Sequence, residues 1–254
     1  MRKITINLAA VAAFCIVVAS PALVSSSCAT PQTEQEDTTI IREDLGITAL
    51  KYSSPEVPSS IEFCGKVIDL SRFDRHERMD RELLAFTYMH STSLQMLKKA
   101  NRYFPIVEPI LKENGIPDDF KYLMVIESNM NPTARSSAGA AGLWQFMQGT
   151  GRDYGLEVNN NVDERYHIEK ATRAACRYLK DAYAKYKDWV AVAASYNAGQ
   201  ARIASQLAKQ DVDDSLDLQL VEETARYVYR ILAAKQLFSA PTTFGFRLRA
   251  SDLY

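Results

Sequence analysis

The sequence predicts a mainly α domain, on three observations. Apolar residues recur at three- and four-residue intervals through most of the chain beyond about residue 75. Helix start and stop signals punctuate those stretches. A single short strand-like stretch precedes them, with no comparable series of strands after it.

Taken in order, Glu62 to Leu70 is the strand-like element, with Phe63, Val67 and Leu70 as its main apolar residues. Met79, Leu83 and Phe86, then Leu94 and Leu97, fall close to one helix face. Pro105 suits a first helical position, so a second helix runs from there to the stop signal Asn114-Gly115. Asp118 or Asp119 is placed to cap a third helix that runs through Ile126. Ala134 to Gly155 is glycine-rich and mixes loop with a short helix around Leu143 to Met147. Ile168 to Tyr186 is strongly helical, with Ala171, Ala175, Leu179, Ala182 and Tyr186 along one face. Trp189 to Asn197 is an alanine-rich helix stopped by Gly199, and Ala201 to Lys209 is another. The last helix runs from about Glu222 to Phe238 and ends before Pro241.

Hydrophobic residues make up 47% of the 254-residue chain and charged residues 24%, as in a folded protein with a substantial core. The formal net charge is −1, so no basic surplus points to nucleic acid. Residues 1–28 read as a secretory leader: Arg2 and Lys3 supply the positive start, Leu8 to Ala19 the apolar run, and small residues follow. That run is shorter than the roughly 20 residues a membrane span needs. Val24 to Cys28 loosely resembles a lipoprotein signal, with Cys28 as a possible lipid anchor. Ser25 stands where a large aliphatic residue is usual, so lipidation and ordinary cleavage both stay open. Residues 29–60 are polar and aperiodic and read as a flexible tether, residues 61–240 as one catalytic domain, and residues 241–254 as a C-terminal tail. Cys64 and Cys176 are either a disulfide or two buried thiols. His76, His90 and His167 have no close ligand spacing, so no metal is expected.

Glu127 is the first residue with a chemical case. On a helix from Asp119, the residues three, four and seven positions before it are Met124, Leu123 and Phe120. A carboxyl on that face is partly desolvated, which raises its pKa and suits a general acid. A boundary glutamate whose head reaches water explains the same pattern. Glu127-Ser128 is followed by Ser136-Ser137-Ala138-Gly139-Ala140-Ala141-Gly142-Leu143-Trp144-Gln145-Phe146-Met147, where small residues permit close backbone approach and Ser136 and Gln145 offer polar groups suited to sugars. Ser195-Tyr196-Asn197-Ala198-Gly199 sets a phenol and an amide at a helix end. Glu223-Thr224 opens the last helix, with Tyr227-Val228 one turn on; a carboxylate there is also explained by the helix dipole.

In order and spacing these four blocks resemble the catalytic domain of the soluble lytic transglycosylases, which are related to goose-type lysozyme. Among the branches they look most like the membrane-bound type D group, through Ala141 to Gln145 and Gly151 to Leu156. The resemblance implies a lysozyme-like α fold and no cofactor. It matches Glu127 to the catalytic acid/base, and Ser136 and Gln145 to residues near the substrate or the carboxyl. Met147 matches a cleft-lining residue, Tyr196 and Asn197 a pair supporting the sugar and the glutamate, and Glu223 a buried acid of the cleft. Gln148, Gly151 and Ser195 depart from the family pattern without removing a functional group.

The implied partner is peptidoglycan, cut at the β-1,4 bond between N-acetylmuramic acid and N-acetylglucosamine without water, leaving a 1,6-anhydro end. The implied location is the bacterial periplasm or outer membrane. Two alternatives remain at this point. A goose-lysozyme-like muramidase would need a second carboxylate, with Asp153, Asp163 and Glu164 as candidates. A non-catalytic peptidoglycan-binding module would retain the fold alone.

Overall fold

Cys64 and Gly65 both hold left-handed backbone, at φ 53° and 83°, the geometry of a two-residue hairpin turn. They join antiparallel strands β1 (Ser60–Phe63) and β2 (Lys66–Asp69). The computed structural model describes residues 54–254; the leader, Cys28 and the tether as far as residue 53 lie outside the described residues. The hairpin sends Ile61, Phe63, Ile68 and Leu70 into the core. Val67 is 69% exposed, because alternation across the pleat gives the inward position to Ile68.

Among the described residues eight α-helices follow: α1 (Phe73–Tyr88), α2 (His90–Glu113), α3 (Phe120–Ser128), α4 (Gln148–Asp153), α5 (Ile168–Tyr186), α6 (Trp189–Ala198), α7 (Gln200–Lys209) and α8 (Glu222–Ser239). The mainly α expectation is borne out. Helix α8 packs against α1, α3 and α6, while α5 packs against α2 and α6. Its buried face, Tyr227, Val228, Ile231, Leu232, Ala234 and Leu237, runs through the middle of the core.

Several boundaries differ from expectation. The face read as continuous from Met79 to Leu97 is broken at Met89 (φ −82°, ψ 48°), leaving Leu94 exposed and Met96 buried instead. Helix α2 then runs straight through Pro105 and Pro109 rather than starting at Pro105. Both prolines lie on its exposed side, where carbonyls that lose an intrahelical partner face water. Buried Tyr103, Val107, Ile110 and Leu111 hold the opposite face. Asp119 sits at the N-cap of α3 without capping it. Its carboxylate accepts from the Cys64 backbone N–H (2.7 Å) and pairs with Lys235 of α8 (2.8 Å), tying the hairpin to the core.

The helices α5 to α8 begin and end within a residue or so of expectation. Asp188 caps α6 through the Val190 N–H (2.9 Å), and Gly199 ends it at φ 85°. Past α8, 3-10 turns at Pro241–Phe244 and Ala250–Asp252 carry the chain back to α2, where the Tyr254 N–H donates to the Lys98 carbonyl (3.1 Å). Cys64 and Cys176 are separate thiols; burial pushes Cys176 up to about 11 and raises Cys64 as well.

Leu232→Ala, at a fully buried position of α8, is expected to lower the unfolding free energy by about 2–5 kcal/mol. Urea denaturation with an unchanged slope is the check.

Candidate active site

The last turn of α3 carries Glu127, and the chain leaves the helix at once through Asn129 and Met130, both left-handed (φ 49° and 60°). Phe120, Leu123 and Met124 are fully buried, so the turn bearing Glu127 is held against the core. Glu127 itself is half-buried, and the Tyr227 hydroxyl of α8 donates to its Oε1. This is not a boundary glutamate with its head in water. Burial raises its pKa, and the nearby Glu223 charge adds to that; the Tyr227 hydrogen bond and Arg230 oppose it. The balance leaves the carboxyl at about 7. Its position at a helix C-terminus acts in the same upward direction, since the helix dipole disfavours an anion there.

The segment between Ala134 and Met147 is folded as a tight loop rather than a short helix over Leu143 to Met147. Ala141 and Phe146 form a bridge, Gly142 (φ 76°) and Gln145 (φ 48°) take left-handed backbone, and α4 starts only at Gln148. Trp144 is fully buried; its indole N–H donates to the Thr172 hydroxyl of α5 (2.9 Å). Arg165, also buried, donates to the Gly139 and Phe146 carbonyls (2.8 and 2.9 Å) and pairs with Asp163 (2.7 Å). A Cβ at Gly142 would lie 1.9 Å from the Arg165 carbonyl oxygen, so the backbone packing there admits only glycine.

This loop forms one wall of a cleft of about 490 Å³, lined in part by Gln145, Met147, Tyr196 and Asn197. Those four predicted residues come together. Gln145 donates through Nε2 to the Gly142 carbonyl (2.8 Å), which fixes its side chain in the wall. Met147 is 45% exposed at the rim. The Tyr196 hydroxyl donates to the Trp144 carbonyl (2.8 Å), not to Glu127. Its phenol is raised well above the usual value, chiefly by burial and then by the Glu127 charge, which ties the cleft to that carboxyl. Asn197 accepts from the Thr224 hydroxyl (2.8 Å), locking the end of α6 to the start of α8.

Ser136 and Glu223 stand differently. Ser136 is exposed and its hydroxyl accepts from the Ala140 N–H (3.0 Å), so it braces the loop. Glu223, expected to be buried, is exposed; its neighbour Thr224 takes the inward position of that turn. Tyr227 and Arg165 were not singled out in sequence. Tyr227 lay in a quoted block, one turn after Glu223, but nothing in a sequence says which of several tyrosines meets the acid.

The candidates for a second carboxylate are otherwise engaged or exposed. Asp163 is paired with Arg165, Glu164 is paired with Lys170 and accepts from the Glu157 N–H (2.8 Å), and Asp153 is exposed on α4. Among the described residues no group of three or more His, Cys, Asp or Glu is arranged to hold a metal ion.

On this mainly α frame a half-buried carboxyl with a raised pKa acts electrostatically on a tyrosine of the cleft wall. Residues 105–217 match the Transglycosylase SLT domain family. The chain is 30% identical over 181 residues to membrane-bound lytic murein transglycosylase D of Escherichia coli, covering 69% of this chain and 39% of that protein. It is 29% identical over 150 residues to membrane-bound lytic murein transglycosylase C of Haemophilus ducreyi, covering 53% of this chain and 40% of that protein. The chain thus spans about two fifths of the length of these relatives. A solved lytic transglycosylase, an inactive mutant of Slt from Pseudomonas aeruginosa, superposes with a TM-score of 0.46 at 20% identity, over 60% of this chain and 26% of that one. Residues 105–217 thus resemble an SLT transglycosylase domain.

Two outcomes follow from the site. Gly142→Ala is expected to leave too little folded protein to purify, or to cost more than about 3 kcal/mol in chemical denaturation. Glu127 ionises at higher pH folded than unfolded (about 7 against 4.5), so its contribution to stability is complete below 4.5 and is lost as pH rises through 7. Glu127→Gln should therefore gain on the parent across that window, by on the order of 2–3 kcal/mol at pH 8. Thermal melts of both proteins across that range are the measurement, and parallel curves would contradict it.

Proposed function

We propose that the protein is a peptidoglycan lytic transglycosylase of the bacterial cell envelope, acting in wall turnover or remodelling with Glu127 as its acid/base. The observation that carries this is a carboxyl raised to about 7 by burial and hydrogen-bonded by Tyr227, whose charge is felt at Tyr196 in the wall of a cleft. The match to the SLT domain and the names of the two relatives supply the substrate class.

The protonated Glu127 gives its proton to the glycosidic oxygen between N-acetylmuramic acid and N-acetylglucosamine. The C1–O bond breaks as oxocarbenium character develops at C1, stabilised by the substrate's own 2-acetamido group. The C6 hydroxyl of the muramoyl ring then bonds to C1, and its proton passes to Glu127. A 1,6-anhydro ring closes, no water enters, and Glu127 ends as it began. Tyr227 donates to the carboxylate in the intervening anionic state, which lowers its energy where burial raises it. Gln145, Tyr196 and Asn197 line the sugar-binding cleft, with Met147 at its rim. Ser136 supports the loop, and the Glu223 charge helps to keep Glu127 protonated. Positioning by such a wall is a large share of catalysis.

Residues 61–240 form the catalytic domain in this reading. Residues 1–28 direct export, residues 29–60 tether the domain, and Cys28 is the point of lipid attachment if the leader is of lipoprotein type. The membrane-bound names of both relatives support an envelope location.

The test is mass spectrometry of muropeptides released from purified sacculi by residues 29–254. Anhydro-muropeptides that disappear with Glu127→Gln are expected. Reducing muramic acid ends would identify a muramidase, and equal clearance by the variant a binding module. Tyr227→Phe is expected to retain the anhydro product and to move the alkaline limb of the kcat/KM profile upward from about pH 7, because removing its hydrogen bond favours protonated Glu127.

A further inference from the structure

Outside the cleft, α1 buries a carboxylate against α8. Glu82 is 1% exposed, and its two oxygens lie against two arginines of α8. Arg226 Nε donates to Oε1 at 2.5 Å and Arg230 Nε to Oε2 at 3.5 Å. Two arginines four residues apart on a helix repel one another, and a buried carboxylate without partners is costly. Each group therefore depends on the others. Beside the trio, Arg81 of α1 pairs with Glu222 of α8, so the seam carries charges of both signs.

Arg230 also bears on the site. It follows Glu223 and Tyr227 by seven and three positions, on the helix face turned toward α3, and its charge is felt at Glu127. Arg230 thus has two carboxylates to answer to: it makes a long 3.5 Å contact with Glu82, and its charge acts on Glu127 through space. Its side chain is 38% exposed where that of Glu82 is 2%, so Arg230 is the member with room to turn.

We propose that Glu82 is a positioning residue: by anchoring Arg230 and balancing its charge, it sets the fraction of Glu127 that carries a proton at neutral pH. This rests on Glu127 being the acid of the reaction. The other groups facing Glu127 are Tyr227 and Glu223 from α8 and Tyr196 from α6. On α2, Glu108 is paired with Lys121 at the opposite end of α3. With Glu82 ionised, the trio has one net positive charge; with a glutamine there it has two, and Arg230 is free to approach Glu127. The anionic form of Glu127 is then favoured, and less of the acid is available near pH 7.

The test titrates Glu127 directly, by carboxyl 13C NMR in the protein of residues 29–254, with the signal assigned through Glu127→Gln. Glu82→Gln is expected to move the Glu127 midpoint down by roughly 0.5 to 1 pH unit, and Arg230→Gln to move it up. Arg230→Lys should return it toward the parent. The alkaline limb of the kcat/KM profile for muropeptide release should move with the midpoint, leaving the low-pH plateau in place. An unmoved midpoint in folded Glu82→Gln, or shifts of the same sign in the two variants, overturns the proposal. If Glu82→Gln does not fold, an unmoved midpoint in Arg230→Gln, which keeps the Glu82–Arg226 pair, overturns the proposal, because Glu82 acts only through Arg230. The titration needs no substrate, so products with reducing ends would remove the transglycosylase reading and leave this result standing.

Discussion

Helix α8 buries one long face against α1, α3 and α6 together, and the candidate site is assembled from what that packing brings to a single place. Tyr227 reaches Glu127 from α8, Thr224 holds Asn197 of α6, and Lys235 holds Asp119 at the start of α3. These three polar links sit among fully buried apolar residues such as Ile231, Leu232 and Leu237. The apolar contacts supply most of the stability, while each hydrogen bond adds only about 1 kcal/mol. The links decide register. A small shift of α8 would take the Tyr227 hydroxyl out of reach of Glu127, and the same burial that raises the carboxyl would then act without that hydrogen bond.

The loop wall is built on a different balance. Its left-handed backbone comes free at Gly142, but at Gln145 it carries a cost. Arg165 offsets it with two carbonyl hydrogen bonds at low exposure, Trp144 with a buried ring and an indole hydrogen bond. Gln145 then bonds back to Gly142 and cannot swing out of the cleft wall. Ser195 fits the core face of α6 because its hydroxyl donates to the Val192 carbonyl (2.7 Å), so its buried polar group is satisfied.

The legible part of the fold was its capped, periodic segments. Helix α5 shows one apolar stripe from Ala171 to Tyr186, and α6 is bounded by Asp188 and Gly199, so both ends are marked by residues with a local reason to be there. The corner at Met89 has no glycine or proline to announce it. His90, the residue after it, lies edge-on to Tyr88 and to the distant Phe246. Pro105 misled in the opposite direction, because a proline can be absorbed mid-helix when its side of the helix faces water. Asp119 was rightly placed at the start of α3 but turned to partners 55 and 116 residues away.

For the site, the sequence alone determined the chemical types and which blocks belong together: an acid at Glu127, a glycine-bearing loop, a tyrosine–asparagine pair and an acid–threonine start to the last helix. The residue types are legible within each block, a few residues of one element; that the blocks belong together is what the resemblance to the lytic transglycosylases implies. Which phenol meets the acid, which of Glu223 and Thr224 points inward, and that Ser136 braces the loop were decided only by tertiary structure. Those outcomes depend on the rotation and register of α8 against α3 and α6. Rotation and register are set by the summed burial of residues far apart in the chain, which no local pattern records.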